Sequence, residues 1–411
     1  MRRDSRSYFL RAVIALGIFT VSTAHAAPAE LLGKLPFSGI IFDSVGNLYG
    51  STEQGGINQV GTLFKIDTSG KAQTLLFFDG NTGVPGALTA GKSGTIFGST
   101  LGGSTSNGTV FKVDSDGTFG FLASFNSPPF PAYQYPIGKL ALDAAQNIYG
   151  TLKGNGGIVY KLTSSGILTT VATLAYPAVP FGVVTDSSGN LFGESSGGTH
   201  NSGTIFQIDS TNTLKILFNF PATGLYGSDI APYGGLVRDT AGSLYGITFF
   251  GGDKNSGSIF KFTTAGIYST LYSFDGVSSA APLGLTIDNF GNLFGVALGQ
   301  SSDVLGIVFK FGTDGVFTTL GKLDRAKGHP VAGLAINESG DIFGVTSDGG
   351  KYGFGTVYEI DHAGSFSTIV NFLGVPEPAT WSLMLSGFAA IGFRLRHAKS
   401  YQARASSIKL N

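Results

Sequence analysis

The chain has 411 residues, of which 63 are glycine and only 13% are charged, about half the usual charged fraction. Glycine follows no three-residue period, which excludes collagen, and 34 Phe with 15 Tyr exclude a disordered chain, because they can bury enough apolar surface to offset the ordering entropy. The absence of cysteine excludes disulfides, thiolate catalysis and thiolate metal sites.

The net charge of zero hides an uneven distribution. Residues 31–374 hold 17 Lys and Arg against 23 Asp and Glu, a net charge of −6, and the two flanks carry the compensating +6. A mildly acidic body repels a phosphate backbone, so no nucleic-acid partner is expected.

The N-terminus has the pattern of a secretory signal peptide. Four arginines lie within the first eleven residues, an apolar run extends from Ala12 to Val21, and Ala24-His25-Ala26 follows as a small-residue cleavage site. A membrane anchor is the alternative, but ten apolar residues are too few to span a bilayer. We predict that residues 1–26 are a signal peptide cleaved after Ala26.

A Leu/Ile–aromatic–Gly triplet recurs seven times through the body. Its last residues are Gly50, Gly98, Gly150, Gly193, Gly246, Gly295 and Gly344, with spacings of 48, 52, 43, 53, 49 and 49 residues. Seven to eleven residues after each triplet comes a second phrase, such as Gly-Thr-Leu-Phe-Lys-Ile-Asp at 61–67. The pattern predicts seven tandem repeats, numbered here 1 to 7.

Each repeat divides into four short strands, a to d. In repeat 1 we predict them at 39–42, 47–51, 62–66 and 73–78. The a–b turn at 43–46 and the c–d turn at 67–70 begin with Asp and end with Gly, which is typical of a type I turn closed by a left-handed glycine. Related turns recur at 114–117, 186–189, 239–242, 288–291, 337–340 and 361–364.

These repeats predict an all-β fold, a seven-bladed β-propeller over residues 27–374 built from seven four-stranded repeats of about 49 residues. Small residues in the a strands, as at 86–89 and 182–184, suit strands that crowd toward a central axis. Another all-β array is the alternative, chiefly a parallel β-helix. The coils of a β-helix are usually shorter than these repeats, however, and they lack paired hairpin turns.

The sequence leaves the closure of the ring open. Residues 30–35 are similar to the d segment at 319–323, yet repeat 7 has its own d strand at 366–372. Either the N-terminal segment is surplus, or it pairs in the last blade and frees 366–374 as a tether. Closure by the C-terminal strand is slightly favoured.

The C-terminus carries Pro376-Glu377-Pro378, then an apolar run at 379–393 and a basic cluster at 394–399. This order resembles the PEP-CTERM sorting signal of Gram-negative bacteria, here residues 375–399 followed by a tail at 400–411. The resemblance implies an exosortase-type processing enzyme as partner, a membrane contact only through the C-terminal helix, and delivery from the inner membrane to the cell surface or exopolysaccharide matrix. The basic cluster would hold the end of the helix on the cytoplasmic side. An unprocessed tail anchor is the alternative.

The repeats themselves resemble the Gly-rich tandem repeats of choice-of-anchor proteins over about residues 36–374. That family pairs variable sorting tails with propeller-like arrays. The resemblance therefore implies the same fold class as the repeat pattern.

Polar residues follow the d strands at the face that carries the b–c and d–a loops. The set is Asp79, Asn126, Asn219, Asp275 and Asp324. We predict that this ring binds sugar hydroxyls or a cation; the alternative is that the side chains cap strand ends and turns. No metal or cofactor is predicted, since the calcium-loop fragment at 114–117 lacks the rest of its loop.

Catalytic groups are sparse. Glu53 and Glu194 are predicted in b–c loops of repeats 1 and 4, too far apart for the carboxyl pair of a glycosidase. His329 with Asp324 is the alternative, as the centre of a lyase or lactonase. The sequence therefore favours a surface protein that binds polysaccharide without catalysis, ahead of a polysaccharide-active enzyme and a purely structural coat protein.

Overall fold

The structure is a computed structural model and describes residues 28–36, 39–102, 107–126, 130, 135–154, 156–221, 232–277, 279–331 and 333–374. The predicted signal peptide with its cleavage site at Ala24 and Ala26, and the predicted sorting motif at Pro376, Glu377 and Pro378, lie outside these residues. The described chain is all-β and propeller-like, with 30 strands in six sheets and a single 3-10 turn at Lys92–Gly94.

The strands of repeats 1 to 4 run from the innermost to the outermost position. Repeat 1 has β2 (Lys34–Pro36) and β3 (Ile41–Phe42), which share the innermost position, then β4 (Leu48–Gln54), β5 (Thr62–Ile66) and β6 (Ala72–Phe77). Repeat 2 has β7 (Val84–Ala90), β8 (Ile96–Leu101), β9 (Thr109–Val113) and β10 (Phe119–Ser124). Repeat 3 has β11 (Tyr135–Leu142), β12 (Ile148–Lys153), β13 (Ile158–Leu162) and β14 (Leu168–Thr173). Repeat 4 has β15 (Pro180–Thr185), β16 (Leu191–Ser195), β17 (Thr204–Ile208) and β18 (Leu214–Asn219).

Repeats 5 to 7 continue this order. Repeat 5 has β19 (Pro232–Arg238), β20 (Leu244–Thr248), β21 (Ser258–Phe262) and β22 (Tyr268–Ser273). Repeat 6 has β23 (Ala280–Ile287), β24 (Leu293–Ser301), β25 (Val304–Phe311) and β26 (Phe317–Leu323). Repeat 7 has β27 (Ala335–Ile336), β28 (Ile342–Thr346), β29 (Thr356–Ile360) and β30 (Phe366–Leu373), and β1 (Ala29–Leu32) joins its outer edge. Within each repeat the strands are antiparallel, and a parallel pairing of Lys139 with Gly182 merges repeats 3 and 4 into one eight-stranded sheet.

The glycine of each triplet is required by a neighbouring aromatic ring. In repeat 1, Gly50 lies opposite Phe64 of β5, and a Cβ at Gly50 would lie 2.4 Å from the tip of that ring. The other six repeats pair the triplet glycine in the same way with Phe111, Tyr160, Phe206, Phe260, Phe309 and Tyr358. All seven rings are fully buried. The triplet and the second phrase are therefore two halves of one packing contact.

Glycines at the start of strand c contact the next repeat. A Cβ at Gly108 would lie 2.6 Å from Pro136, the proline that opens the innermost strand of repeat 3. The same contact joins Gly355 of repeat 7 to Pro36 of repeat 1, at 2.9 Å. This last contact connects the end of the repeat array to its beginning.

The buried side chains form seven clusters among the described residues. Each cluster lies between two successive repeats, as where Phe78 of repeat 1 packs with Phe111 of repeat 2. One cluster joins the last repeat to the first, and Val357 and Phe372 pack there with Phe64. The core is thus distributed around the array.

The N-terminal segment is neither surplus nor a substitute for the last strand. β30 pairs antiparallel with β29, as the favoured prediction required, and β1 adds outside it as a parallel fifth strand with Leu31 opposite Phe372. Leu31 is buried in the cluster that joins repeats 7 and 1. Glu30 accepts hydrogen bonds from Lys351, at 2.8 Å, and from Tyr352. Residues 29–33, called the N-terminal clasp below, therefore hold the array's end to its start.

The turn predictions are confirmed. In the first a–b turn, Gly46 has φ of +93° and Asp43 Oδ1 accepts hydrogen bonds from the backbone N–H groups of Val45 and Asn47, both at 2.9 Å. The glycines that close the other seven predicted turns also have positive φ. These turns lie on one face of the array, the turn face, and the b–c and d–a loops lie on the other, the loop face.

Candidate functional site

A cavity of about 320 Å³ opens at the centre of the array, between the innermost strands. All seven repeats contribute to its wall, and the ends of β4, β8 and β12 place it toward the loop face. The lining residues include Glu53, Lys139, Lys153, Phe181 and Tyr233. We call this cavity the channel mouth.

Two aromatic side chains form one side of the channel mouth. Phe181 and Tyr233 each follow the proline that opens an innermost strand, and their ring centroids are 5.8 Å apart. Tyr233 is 37% exposed and continues into Phe249, at 5.6 Å, and Phe250, at 4.9 Å from Phe249. This wall offers flat apolar surface with one hydroxyl.

Charged side chains from repeats 1 and 3 also line the channel mouth. Lys139 lines the cavity as a solvent-exposed residue, and partial desolvation by the surrounding chain lowers the pKa of its ammonium. Burial raises the pKa of the half-buried Glu53 carboxyl. Within the described part of the chain, neither group has a salt-bridge partner or a hydrogen bond. Lys153 is the second ammonium of this wall.

Glu194 is the most deeply buried carboxyl of the described residues. It lies in β16, not in the predicted b–c loop, because pairing with β17 continues through Glu194 and Ser195. Its Oε1 accepts a hydrogen bond of 2.9 Å from the N–H of Gly235 in the next repeat, and Oε2 has no partner among the described groups. Burial raises its pKa to about 8. Glu53 likewise lies in a strand, since β4 extends to Gln54.

The members of the predicted polar ring lie at the ends of the d strands or just after them, and each member contacts its own loops. Asp79 Oδ1 accepts from the N–H groups of Asn81 and Thr82, at 3.0 and 2.8 Å. Three further members accept backbone N–H groups in the same way, namely Asn126 from Asn107, Asn219 from Thr199 and Asp275 from Val277. These contacts are those of loop capping, the alternative that the sequence left open, and none of them joins two of the five side chains.

The two residues of the alternative catalytic hypothesis, His329 and Asp324, have different partners in the structure. Asp324 accepts from the N–H of Lys327, at 3.0 Å, and pairs with its ammonium at 2.9 Å. His329 Nδ1 lies 2.9 Å from Asp348 Oδ2, and both side chains are about half exposed on the loop face. The reason is the bridge between Pro330 and the end of β28, which draws the d–a loop toward the b–c loop of the same repeat.

A larger cleft of about 760 Å³ opens on the turn face between repeats 7 and 1. Its lining carries the carboxylates of Asp43, Asp67, Glu338 and Glu359. Asp43 and Asp67 hold the turns in which they lie. Across the described ranges, no group of three or more His, Asp or Glu side chains is arranged to hold a metal ion, and no helix is long and apolar enough to cross a membrane.

Sequence reasoning missed the channel-mouth residues Lys139, Lys153, Phe181 and Tyr233. The sequence of the repeats does carry a signal for Lys139. Lys139 precedes Leu140, whose side chain covers the triplet glycine, and the corresponding residues of the other six repeats are Gly39, Ala87, Gly182, Gly235, Gly284 and Gly333. An alignment of the innermost strands would have shown Lys139 as the one residue at this position that is neither glycine nor alanine.

Comparison with known structures supports the fold. Virginiamycin B lyase from Staphylococcus aureus matches with a TM-score of 0.56 at 14% identity, over 76% of this chain and 91% of the lyase. A protein from Lactobacillus plantarum matches with 0.56 at 15%, over 84% of this chain and 98% of its own. A puromycin-hydrolyzing peptidase from Mycobacterium tuberculosis matches with 0.58 at 13%, over 84% of this chain and 55% of the peptidase. At these identities the likeness shows the fold alone.

Family membership follows from the sequence of the repeats. No curated protein matches the chain. The model of the Gloeobacter/Verrucomicrobia repeat matches residues 35–230 and 225–389, which together cover most of the chain. The chain belongs to the Gloeobacter/Verrucomicrobia repeat family.

Proposed function

We propose that the protein is an exported, surface- or matrix-associated propeller that binds polysaccharide at the channel mouth without catalysing a reaction. The observation that carries the proposal is the lining of that cavity, where an aromatic wall of Phe181 and Tyr233 shares one space with the charged side chains of Lys139, Lys153 and Glu53. The C–H faces of sugar rings are apolar and pack on aromatic rings, while sugar hydroxyls need polar partners.

The proposed architecture has seven blades, one for each sequence repeat. Seven intervening core clusters support it, because a closed ring has as many interfaces as blades. The contact of Gly355 with Pro36 and the N-terminal clasp support closure between repeats 7 and 1.

The proposed location is the cell surface or exopolysaccharide matrix of a Gram-negative bacterium. The signal-peptide pattern at 1–26 supports export. The Pro376-Glu377-Pro378 motif, followed by the apolar run at 379–393 and the basic cluster at 394–399, supports exosortase-type processing. Mass spectrometry of the mature protein tests this directly. We expect an N-terminus at Ala27 and loss of the tail after the sorting motif; an intact chain would contradict processing.

A glycan array with the purified mature protein tests the binding function. We expect selective binding to polysaccharides, weakened about tenfold or more by Tyr233→Ala, because the ring supplies buried apolar contact. Phe290→Ala is the matched control, since Phe290 is 84% exposed in an a–b turn on the opposite face. Binding to no glycan would reject the proposal and favour a purely structural coat protein.

The predicted polar ring has a place in this proposal as an outer contact. The ring consists of side chains at the ends of the d strands, or just after them, on the loop face, namely Asp79, Asn126, Asn219, Asp275 and Asp324. We propose that their hydroxyl-binding oxygens contact the parts of a long glycan that extend beyond the channel mouth. Alanine substitution of Asn219 should then weaken binding of long chains more than binding of short ones, and equal effects would argue for capping alone.

A catalytic alternative is favoured by one observation, the contact of His329 with Asp348. A carboxylate that holds Nδ1 orients the imidazole and leaves Nε2 available as a general base for a lyase or lactonase reaction. His329→Ala should abolish polymer cleavage if it occurs, whereas His362→Ala, which removes the analogous contact with Asp341 on the turn face, should not. Inactivity of the wild-type protein on polymer and lactone panels would reject this alternative.

A further inference from the structure

We propose that the channel mouth is selective for acidic saccharides, with Lys139 pairing with a carboxylate on the sugar ring. This inference rests on the proposed binding function and specifies its ligand class. The partner is thus a uronic-acid-containing chain rather than a neutral glycan.

The first argument is the position of Lys139. It occupies the point where the innermost strands approach the axis, and its backbone pairs with that of Gly182 in the neighbouring repeat. At this position five repeats have glycine and one has Ala87, so among the seven equivalent residues only Lys139 has a side chain longer than a methyl group. Lys139 lines the same cavity as three of these five glycines.

The second argument is the missing partner. An ammonium that the surrounding chain partly desolvates is stabilised by an anion or by hydrogen-bond acceptors that compensate its charge. Among the residues that the structure describes, no carboxylate lies within salt-bridge distance of Lys139, and Glu53 in the same wall is not paired with it. Lys153 adds a second ammonium to the lining, which leaves two positive groups against one carboxyl.

The third argument is the combination of charge with the aromatic wall. A small inorganic anion would use the ammonium groups but not the rings of Phe181 and Tyr233. A uronic acid presents a carboxylate and an apolar ring face in one unit, so it matches both. A cavity of about 320 Å³ is at the lower end of the range for ligand sites, which suits one or two sugar rings at the end or in a bend of a chain.

The test compares trigalacturonate with its methyl ester, which keeps the rings and removes the charge. Isothermal titration calorimetry of the mature wild-type protein should show about tenfold or greater preference for the acid, since a charge-assisted hydrogen bond is lost in the ester. The preference should shrink as salt rises. Lys139→Ala should abolish it, and this variant should fold because repeat 2 has Ala87 at the same position.

Two controls make the outcome decisive. Lys139→Met keeps the apolar stem without the charge and should behave as Lys139→Ala does, while Lys71→Ala removes an exposed lysine on the turn face and should retain the preference. Equal affinity of wild-type protein for acid and ester, or binding of neutral glycans alone, would overturn the inference and leave the proposed function standing. Binding of no saccharide at all would overturn both.

Discussion

Replacing Glu194 with glutamine should remove a large part of the dependence of the protein's stability on pH. In the folded protein the Glu194 carboxyl is fully buried and its pKa is raised to about 8, whereas its ordinary value is 4.5. At pH values between 4.5 and about 8, the Glu194 carboxyl is ionised in the unfolded chain and protonated in the folded chain. Unfolding then releases a proton, so the free energy of unfolding falls as pH rises through this window.

The size of the effect follows from the shift. Each pKa unit corresponds to about 1.4 kcal/mol, so the shift from 4.5 to about 8 corresponds to a loss on the order of 4–5 kcal/mol between pH 4.5 and pH 8. Below pH 4.5 the carboxyl is protonated in both states and contributes no slope. Above pH 8 it is ionised in both states, and its contribution is again constant.

Urea denaturation of the wild type and of Glu194→Gln at pH 5, 6, 7 and 8 measures this contribution. The difference between the two stability curves isolates Glu194, because all other titrating groups are common to both proteins. Glu338→Gln is the control, since Glu338 is an exposed carboxyl in a turn. Parallel curves for wild type and Glu194→Gln would show that folding does not raise the pKa of the Glu194 carboxyl and would refute the reasoning.

Three further predictions concern packing. Tyr160→Phe and Tyr358→Phe should each raise the free energy of unfolding by about 1 kcal/mol in urea denaturation, because their buried hydroxyls have no partner in the described chain. A lower free energy of unfolding would mean that the hydroxyl has a hydrogen-bond partner and would contradict this prediction. Leu31→Ala should lower it by about 2–3 kcal/mol by opening the N-terminal clasp, and unchanged stability would mean that the clasp is dispensable. Gly98→Ala should prevent stable folding, measured by circular dichroism, since its Cβ would lie 2.3 Å from the Phe111 ring; a native melting curve would contradict this packing role.

The repeat pattern was sufficient to predict the strands and turns, because each feature is local. The Leu/Ile–aromatic–Gly triplet marks strand b, and the Asp-to-Gly turns fix where strand b begins, where strand c ends and where the hairpins close. The end of strand b was predicted too early, so that Glu53 and Glu194 were placed in loops. Hydroxyl pairs such as Thr52 with Thr62, at 3.0 Å, extend the pairing beyond the apolar pattern.

The candidate site was less predictable, because it depends on which face of strand a meets the axis. The pairing register of the a strands shifts, as between Tyr233 and Val237, so a simple two-residue alternation does not identify the inward side chains. The parallel pairing of β1 with β30 was also beyond the sequence, since four residues carry too little pattern to fix a partner and a direction. Lys139 was missed but could have been predicted, since an internal alignment of the repeats shows glycine or alanine at the six equivalent positions.

A co-crystal structure of the mature protein with an acidic oligosaccharide tests the central claim most directly. The account predicts a sugar ring in the channel mouth, packed on Tyr233 and with its carboxylate within hydrogen-bond distance of Lys139 Nζ. A glycan bound elsewhere, on the turn face or along the outer strands, with the channel mouth free of it, would contradict the account.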